Sequence, residues 1–302
     1  RGLFAVLALS LVLGANVRPI EAQTAYSAQE NSRYAAIVID AATGEVLFAR
    51  NADSRRYPAS LTKMMTLYLT FEALEAGRIS KSTQIPFSKN ASAEPPSKLG
   101  VRAGQSITVE QAILSLVTRS ANDASTALGE YLGGSEQRFA RMMTNKARAL
   151  GMTRTTYRNA NGLPNPEQRT TARDQARLGL ALRQHFPQYY DYFSTRSFRF
   201  GKQTIGNHNR LLGNVRGVDG IKTGYTRASG FNLMTSARLE DRHIVAIVLG
   251  AIVLAEPLTV GLLIGFPLVI IGCWFAGTGG RLRPRTVVDE AAVELTAEPV
   301  PP

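Results

Sequence analysis

The chain has 302 residues, of which 44% are hydrophobic and 19% charged, a composition typical of a globular protein and not of a disordered one. Its formal net charge is +12, but the lysines and arginines are scattered without a run of five, so no nucleic-acid-binding patch is indicated. The single cysteine excludes an intramolecular disulfide, and the three histidines lie far apart outside any zinc motif, so the sequence predicts no metal and no other cofactor.

The N-terminal segment is typical of an exported protein. An apolar stretch from Gly2 to Val17 precedes Pro19-Ile20-Glu21-Ala22, which resembles a secretory signal peptide cleaved after Ala22. The alternative is an uncleaved membrane anchor, although the apolar run is short for a membrane span. We therefore predict a signal peptide over residues 1–22 and an extracytoplasmic, or periplasmic, domain over residues 28–255.

The domain opens with a strand pattern followed by a helix. Two short apolar runs, Tyr34–Asp40 and Glu45–Ala49, flank a turn that ends in Gly44 and predict a β-hairpin. Pro58 then opens a predicted helix that runs from residue 59 to residue 74.

More helices are predicted in the middle of the chain. The pattern Thr108-x-x-Gln111 fits a capping box, in which the two side chains bond the free backbone N–H groups at the start of a helix. This helix ends near Thr118, and a short break holds Ser120-Ala121-Asn122. Further helices are predicted from that break to residue 133, over residues 136–150 and over residues 172–183.

Strand patterns return in the last part of the domain. They cover residues 197–200, 220–225, 231–237 and 243–249, and the close spacing of the last three is typical of an antiparallel meander. Strands at both ends with helices between them predict an α+β fold, with one antiparallel sheet that joins the first and last segments and is flanked by helices.

The C-terminal part contains a candidate membrane span. Pro257 to Gly280 holds no charged residue and is long enough to cross a bilayer. Arg281, Arg283 and Arg285 follow at once, which places the C-terminus in the cytoplasm by the positive-inside tendency. We predict a transmembrane helix over residues 257–280 and a disordered tail over residues 281–302. Whether this end is a natural anchor or a fusion or frameshift stays open.

Three short motifs point to serine acyl-transfer chemistry. They are Ser60-Leu-Thr-Lys63, Ser120-Ala-Asn122 and Lys222-Thr-Gly224, and each alone is close to chance, so the weight lies in their order and setting. Ser60 falls in the first turn of the helix after Pro58, where free N–H groups and the helix dipole favour developing negative charge. Lys63 lies one turn away on the same face.

Each motif residue suits one part of that chemistry. A lysine acts as base for a serine when burial and a neighbouring cation, here Lys222, lower its pKa. The Ser120 hydroxyl is suited to passing a proton, and the Asn122 side chain offers a donor and an acceptor to a substrate amide. The ammonium of Lys222 and the hydroxyl of Thr223 suit a terminal carboxylate. Gly224 lets a substrate backbone approach.

The set is similar to the motifs of the penicillin-recognising serine enzymes, and most similar to the low-molecular-weight D-alanyl-D-alanine carboxypeptidases. The flanking stretches that carry the resemblance are Tyr57–Lys63, Ser120–Ala124, Asn161–Leu163, Thr171–Asp174, Asp219–Thr226 and Ser229–Leu233. The resemblance implies a β-lactamase/transpeptidase-like fold with a helical subdomain. It also implies that peptidoglycan stem peptides ending in D-Ala-D-Ala and β-lactams are the partners, together with the cytoplasmic membrane.

The same resemblance assigns roles to the site residues. Ser60 is acylated, Lys63 is the base, and Ser120 with Asn122 shuttles protons and holds the peptide. Lys222 and Thr223 bind the substrate carboxylate. The backbone N–H groups of Ser60 and Tyr225 form the oxyanion hole, and Tyr225 stands where many members have histidine.

Two other functions remain open from the sequence. A class A β-lactamase needs a further glutamate to activate water, and the window from residue 153 to residue 171 offers only Glu167. A membrane-tethered penicillin sensor, or an inactive cell-wall binding module, would fit the C-terminal apolar run. An endopeptidase would use the same site residues as a carboxypeptidase.

Overall fold

The central element is a five-stranded antiparallel sheet that joins strands from both ends of the chain. The computed structural model describes residues 33–239 and 242–251. In the order β2-β1-β9-β8-β7, the strands are Val46–Arg50, Ala35–Asp40, Arg242–Ala251, Gly230–Leu239 and Val218–Thr226. The predictions of one sheet built from the first and last segments, and of a meander for the last three strands, are confirmed.

All the α-helices of the described residues lie in the chain between β2 and β7. They are α1 Lys63–Glu75, α2 Lys89–Ala93, α3 Val109–Thr118, α4 Asn122–Gly133, α5 Glu136–Ala149, α6 Ala172–His185 and α7 Pro187–Tyr190. Two short strand pairs accompany them, β3 Gln84–Pro86 with β4 Ser106–Thr108 and β5 Ser197–Phe200 with β6 Gln203–Gly206. The α+β prediction is confirmed, whereas α2, α7, β3, β4 and β6 were not predicted.

The start of α3 is fixed by local hydrogen bonds. The Thr108 hydroxyl accepts from the backbone N–H of Gln111 over 3.1 Å, and the Gln111 side chain accepts from the backbone N–H of Thr108 over 3.0 Å. The predicted capping box is therefore confirmed. Helix α3 ends at Thr118, so the residues that follow form the short break before α4.

Helix α1 lies in the interior of the molecule. Every residue from Lys63 to Phe71 is buried, so this helix is enclosed on all sides and has no solvent-facing stripe. Helix α6 packs against the sheet: at Gly179 a Cβ would lie 3.3 Å from the sulfur of Met234 on β8. A residue at the start of α1 is therefore held in the centre of the fold and is screened from water.

The predictions for both chain ends fall on residues that the structure does not describe. These are the signal peptide over residues 1–22, the membrane span over residues 257–280 and the tail over residues 281–302, and the domain limits 28–255 stay a prediction with them. Within residues 33–239 and 242–251, no helix combines the length and the hydropathy needed to cross a membrane.

Candidate active site

Ser60 lies in a tight turn immediately before α1. Residues Ala59–Thr62 form a 3₁₀ turn, and the α-helix begins only at Lys63, so the prediction of an α-helix from residue 59 is wrong by one turn. The physical reason is the backbone of Ala59, whose φ of +49° lies in the left-handed region and cannot continue a right-handed helix. The serine still lies at the N-terminal end of α1, as the motif required.

Two glycines allow neighbouring segments to press against this turn. A Cβ on Gly224 of β7 would lie 3.0 Å from the backbone nitrogen of Ser60, so β7 runs directly beside the nucleophile. A Cβ on Gly162 would lie 2.0 Å from the carbonyl oxygen of Ala59, closer than any side chain tolerates. The turn is therefore clamped between β7 and the loop that carries Gly162.

Lys63 reaches back to the serine from the first position of α1. Its Nζ lies 3.3 Å from Ser60 Oγ and 2.8 Å from Asn122 Oδ1, and it also bonds the carbonyl oxygen of Asn161. A neutral amine has two N–H donors and one lone pair. With the donors directed to the two asparagines, the lone pair faces the Ser60 hydroxyl, which is the geometry that a general base needs.

The environment of Lys63 favours this neutral form. The side chain is fully buried, and burial is the main cause that holds its pKa well below the ordinary value of lysine, followed by the positive charge of Lys222. The carboxylates of Glu94 and Asp123 act in the opposite direction. The predicted combination of burial and a nearby cation is therefore found around Lys63.

Ser120 lies in the break between α3 and α4 with a left-handed backbone, at φ +59°. Its Oγ is buried and has no hydrogen-bond partner among the residues that the structure describes. Buried hydroxyls are normally hydrogen-bonded, and one that is not is available to a bound molecule. The position suits the proton-passing role that the resemblance implies for Ser120.

Asn122 is the first residue of α4 and is held from both sides. Its backbone N–H donates to the Ser97 carbonyl over 2.7 Å, and its side-chain Nδ2 donates to the Pro95 carbonyl over 2.9 Å. Its Oδ1 accepts from Lys63. The side chain expected to meet a substrate amide is therefore also part of the support of the base, with one N–H left for a ligand.

Lys222 is a second buried lysine, on the strand beside the nucleophile. Only 1% of it is exposed, its Nζ donates to the carbonyl of Thr223 over 2.8 Å, and within the described ranges no carboxylate forms an ion pair with it. Burial lowers its pKa to about 7. A buried cation without an anion is costly, so this position favours an anionic ligand.

Thr223 and Tyr225 alternate with Lys222 and Gly224 along β7. Thr223 is half-buried, and Tyr225 is 57% exposed, with its ring centroid 4.5 Å from that of Phe231 on β8. The structure thus brings Ser60, Lys63, Asn122, Lys222 and Gly224 into one locality. Ser120 lies in the break just before α4, two residues from Asn122.

Two residues of this locality were not assigned by sequence reasoning. The carbonyl oxygen of Asn161 accepts a hydrogen bond from Lys63 Nζ. The carboxylate of Asp123 accepts hydrogen bonds from the backbone N–H groups of Leu99, Gly100 and Ala124, and so holds the loop between α2 and β4 in place. Asn161 is the first residue of Asn161–Leu163, one of the stretches that carry the family resemblance, and Asp123 directly follows the motif Ser120-Ala-Asn122. No other feature of the sequence indicated their roles, because their contacts with Lys63 and with the loop at Leu99 join distant segments.

The glutamate considered for a β-lactamase is engaged elsewhere. The Glu167 carboxylate accepts from Arg158 over 2.8 Å in a surface ion pair whose side chains are 68% and 40% exposed. A glutamate that activates water for deacylation has to face the acylated serine. Its exposed pairing with Arg158 counts against that role for Glu167.

Comparisons with known proteins agree with this geometry. The family model described as D-alanyl-D-alanine carboxypeptidase, peptidase family S11, matches residues 22–252. The chain is 38% identical over 222 residues to D-alanyl-D-alanine carboxypeptidase DacC of Escherichia coli, covering 71% of this chain and 56% of that protein. The chain thus spans a little over half the length of the curated relatives it matches first.

Solved structures give the same answer. The carboxypeptidase DacD of Francisella tularensis matches with a TM-score of 0.69 and 32% identity, over 72% of this chain and 65% of that one. Penicillin-binding protein D2 of Listeria monocytogenes, solved in an ampicillin-bound form, matches with a TM-score of 0.66 and 30% identity, over 72% and 89%. The fold is therefore that of the penicillin-binding proteins, and the chain belongs to the D-alanyl-D-alanine carboxypeptidase family S11.

Proposed function

We propose that the protein is a serine-type D-Ala-D-Ala carboxypeptidase that removes the terminal D-Ala from peptidoglycan stem peptides. We also propose that β-lactams acylate it. One observation carries the proposal: the buried amine of Lys63, with a lowered pKa, lies 3.3 Å from the hydroxyl of Ser60. A serine hydroxyl becomes an effective nucleophile when such a base takes its proton.

In the proposed acylation step, neutral Lys63 takes the proton of Ser60 Oγ while this oxygen attacks the penultimate D-Ala carbonyl. Negative charge develops on the carbonyl oxygen. This oxygen would accept hydrogen bonds from the backbone N–H groups of Ser60 and Tyr225. Each donor of such a hole typically contributes ~10²–10³ in rate. The closeness of Gly224 to the Ser60 nitrogen supports this pair, because it puts strand β7 beside the turn that holds Ser60.

Collapse of the tetrahedral intermediate breaks the C–N bond and needs a proton on the leaving amine. The ammonium of Lys63 holds the proton taken from Ser60, and the Ser120 hydroxyl would pass it on; its lack of a hydrogen-bond partner among the described residues supports this role. Lys222 and Thr223 would hold the carboxylate of the departing D-Ala. Water, with Lys63 again as base, then attacks the ester carbonyl, the bond to Ser60 Oγ breaks, the shortened peptide leaves with a free carboxylate, and Lys63 returns the proton to Ser60.

The proposed setting is the extracytoplasmic face of a bacterial membrane. Its support is the signal-like stretch over residues 1–22 and the apolar run over residues 257–280, both outside the described ranges. Peptidoglycan stem peptides and β-lactams are the proposed partners, in line with the Listeria relative solved with ampicillin.

The test combines two measurements on wild type and Ser60→Ala. Intact mass after exposure to penicillin G should increase by the mass of one penicillin in wild type and stay unchanged in Ser60→Ala. A peptide ending in D-Ala-D-Ala should release D-Ala with wild type only. Absence of the adduct in folded wild type would overturn the proposed nucleophile.

The two alternatives give different outcomes in the same experiment. A class A β-lactamase would lose the adduct rapidly with turnover of penicillin, whereas the proposed enzyme keeps it for many minutes. A penicillin sensor would form the adduct but release no D-Ala. Either result would replace the carboxypeptidase as the function.

A further inference from the structure

Glu94 is a partly buried glutamate whose charge acts on Lys63. It follows α2, and its Oε1 accepts hydrogen bonds from Thr126 Oγ1 over 2.8 Å and from Asn161 Nδ2 over 2.9 Å. Asn161 and Thr126 are themselves almost fully buried and bond each other over 2.9 Å. In residues 33–239 and 242–251, no lysine, arginine or histidine forms an ion pair with Glu94.

Asn161 connects this carboxylate directly to the base. Its side chain donates to Glu94, while its own carbonyl oxygen accepts from Lys63 Nζ. The second acceptor of the amine, Asn122, donates its Nδ2 to the carbonyl of Pro95, the residue after Glu94. Both asparagines that orient the amine of Lys63 are therefore fixed by the adjacent residues Glu94 and Pro95.

The charges around Lys63 come from four elements. Lys222 on β7 faces the amine with positive charge, and Asp123 on α4 and Glu94 after α2 face it with negative charge. His208, in the loop after β6, also lies within electrostatic range of both lysines. The carboxylate of Asp123 accepts hydrogen bonds from three backbone N–H groups, so replacing it would also disturb the loop that these bonds hold.

We propose that Glu94 is a positioning residue of the acylation reaction, which fixes the Lys63 amine through Asn161 and whose negative charge raises the lower pH limit of acylation. This rests on the proposed function. Glu94 touches neither Ser60 nor a substrate and acts only through its effect on the base. Because its charge stabilises the ammonium form of Lys63, it opposes the burial and the cation that favour the free amine.

The variant Glu94→Gln separates charge from position. The amide keeps the length of the side chain and an oxygen that accepts from Thr126 and Asn161, but it removes the negative charge. The neutral amine of Lys63 then persists to lower pH, so the acid limb of the acylation rate should move down by about one pH unit. Glu94→Asp keeps the charge and shortens the reach, so it should leave the limb in place and lower the plateau rate.

A matched control is Glu136→Gln. Glu136 is also a partly buried glutamate nearby, and its Oε1 accepts from the backbone N–H of Ala160. Its charge interacts with that of Glu94 but is not among those that act on Lys63. The acid limb of Glu136→Gln should coincide with that of wild type. A shift equal to that of Glu94→Gln would show that any lost carboxylate has this effect and would overturn the specific role of Glu94.

The measurement is the rate of acylation by a fluorescent penicillin from pH 4.5 to pH 9, with thermal unfolding as the check of folding. Folded Glu94→Gln with an unmoved limb would refute the inference while leaving the proposed function intact. Wild type that is not acylated at any pH would instead refute the proposed function. If Glu94→Gln does not fold, a displaced limb in Glu94→Asp would refute the role of charge.

Discussion

The side-chain amide of Asn232 on β8 donates to the carbonyl oxygen of Pro58 over 3.0 Å, two residues before the nucleophile. The same Nδ2 also donates to the carbonyl of Tyr57 over 2.9 Å, while Oδ1 accepts from the backbone N–H of Gly250 over 3.0 Å. One buried side chain therefore joins β8 and β9 to the approach to Ser60.

Replacing this residue should weaken both the fold and the site. Asn232→Ala removes one hydrogen bond from each of the carbonyls of Tyr57 and Pro58 and one from the N–H of Gly250, which should lower the free energy of unfolding by about 2–4 kcal/mol. A less firmly held turn should reduce the acylation rate by about 10-fold or more. Urea denaturation and stopped-flow acylation by a fluorescent penicillin measure the two effects. The control Asn214→Ala removes an exposed amide bonded to Arg210 and should change neither.

The close approach at Gly162 gives a second prediction. Gly162→Ala would place a methyl group 2.0 Å from the Ala59 carbonyl at a backbone φ of +91°, so the turn has to move. We expect a loss of about 3 kcal/mol or more and acylation near the detection limit. Gly104→Ala is the matched control, because its φ is +83° and nothing lies within 4 Å. It should cost only about 1–2 kcal/mol and leave acylation unchanged.

The second buried lysine predicts the alkaline side of the pH profile. Burial lowers the pKa of Lys222 to about 7, and in the proposed function the substrate carboxylate binds the charged form. The ratio kcat/KM for a D-Ala-D-Ala peptide reports on the free enzyme, so it should fall as pH increases through about 7. In Lys222→Arg the cation does not titrate, and the descending limb should disappear even if the maximum is lower. An identical limb in that variant would assign it to another group.

Lys222 should also cost stability when no ligand is bound. Its folded pKa of about 7 lies below its ordinary value of 10.5, so the folded state binds fewer protons than the unfolded state between those pH values. Wild-type stability should therefore increase from pH 7 to pH 10, and the penalty should be complete below pH 7.

Lys222→Met tests this cost. It should abolish D-Ala release and increase the stability of the free enzyme by about 1–3 kcal/mol at pH 6, with a smaller gain at pH 9. Lys202→Met, at an exposed lysine in the β5–β6 turn, should show no such pH-dependent gain. Thermal unfolding at the two pH values measures the difference. An equal gain at pH 6 and pH 9 would mean that lost charge is not the cause.

Much of this architecture was predictable because it depends on local patterns. The Thr108–Gln111 capping box, the hairpin around Gly44 and the close spacing of the last three strands each need only neighbouring residues. The approach of Lys63 to Ser60 was predictable for the same reason, since three residues bring two side chains to one helix face.

The remaining features depend on contacts between distant segments. Strands β3 and β4 have three residues each, too few to show a period, and they exist because they pair with one another. The left-handed backbone of Ala59 follows from the clamp around it and not from alanine's own preference. Lys63 and Asn161 are 98 residues apart, so nothing in the sequence showed that this carbonyl would orient the amine.

Strand β7, which carries Lys222-Thr-Gly224, lies at the edge of the sheet and pairs with β8 alone among the described strands. The free side of an edge strand bonds any extended chain through main-chain groups, as a further strand would. Under the proposed function, a ligand that lines up there would be recognised by its amide spacing and its terminal carboxylate more than by its side chains. The selectivity of such a cleft therefore rests on backbone shape, and a rigid small molecule with the same spacing of carbonyl and carboxylate meets the same contacts. Susceptibility to mimicry is in this sense a property of sheet topology.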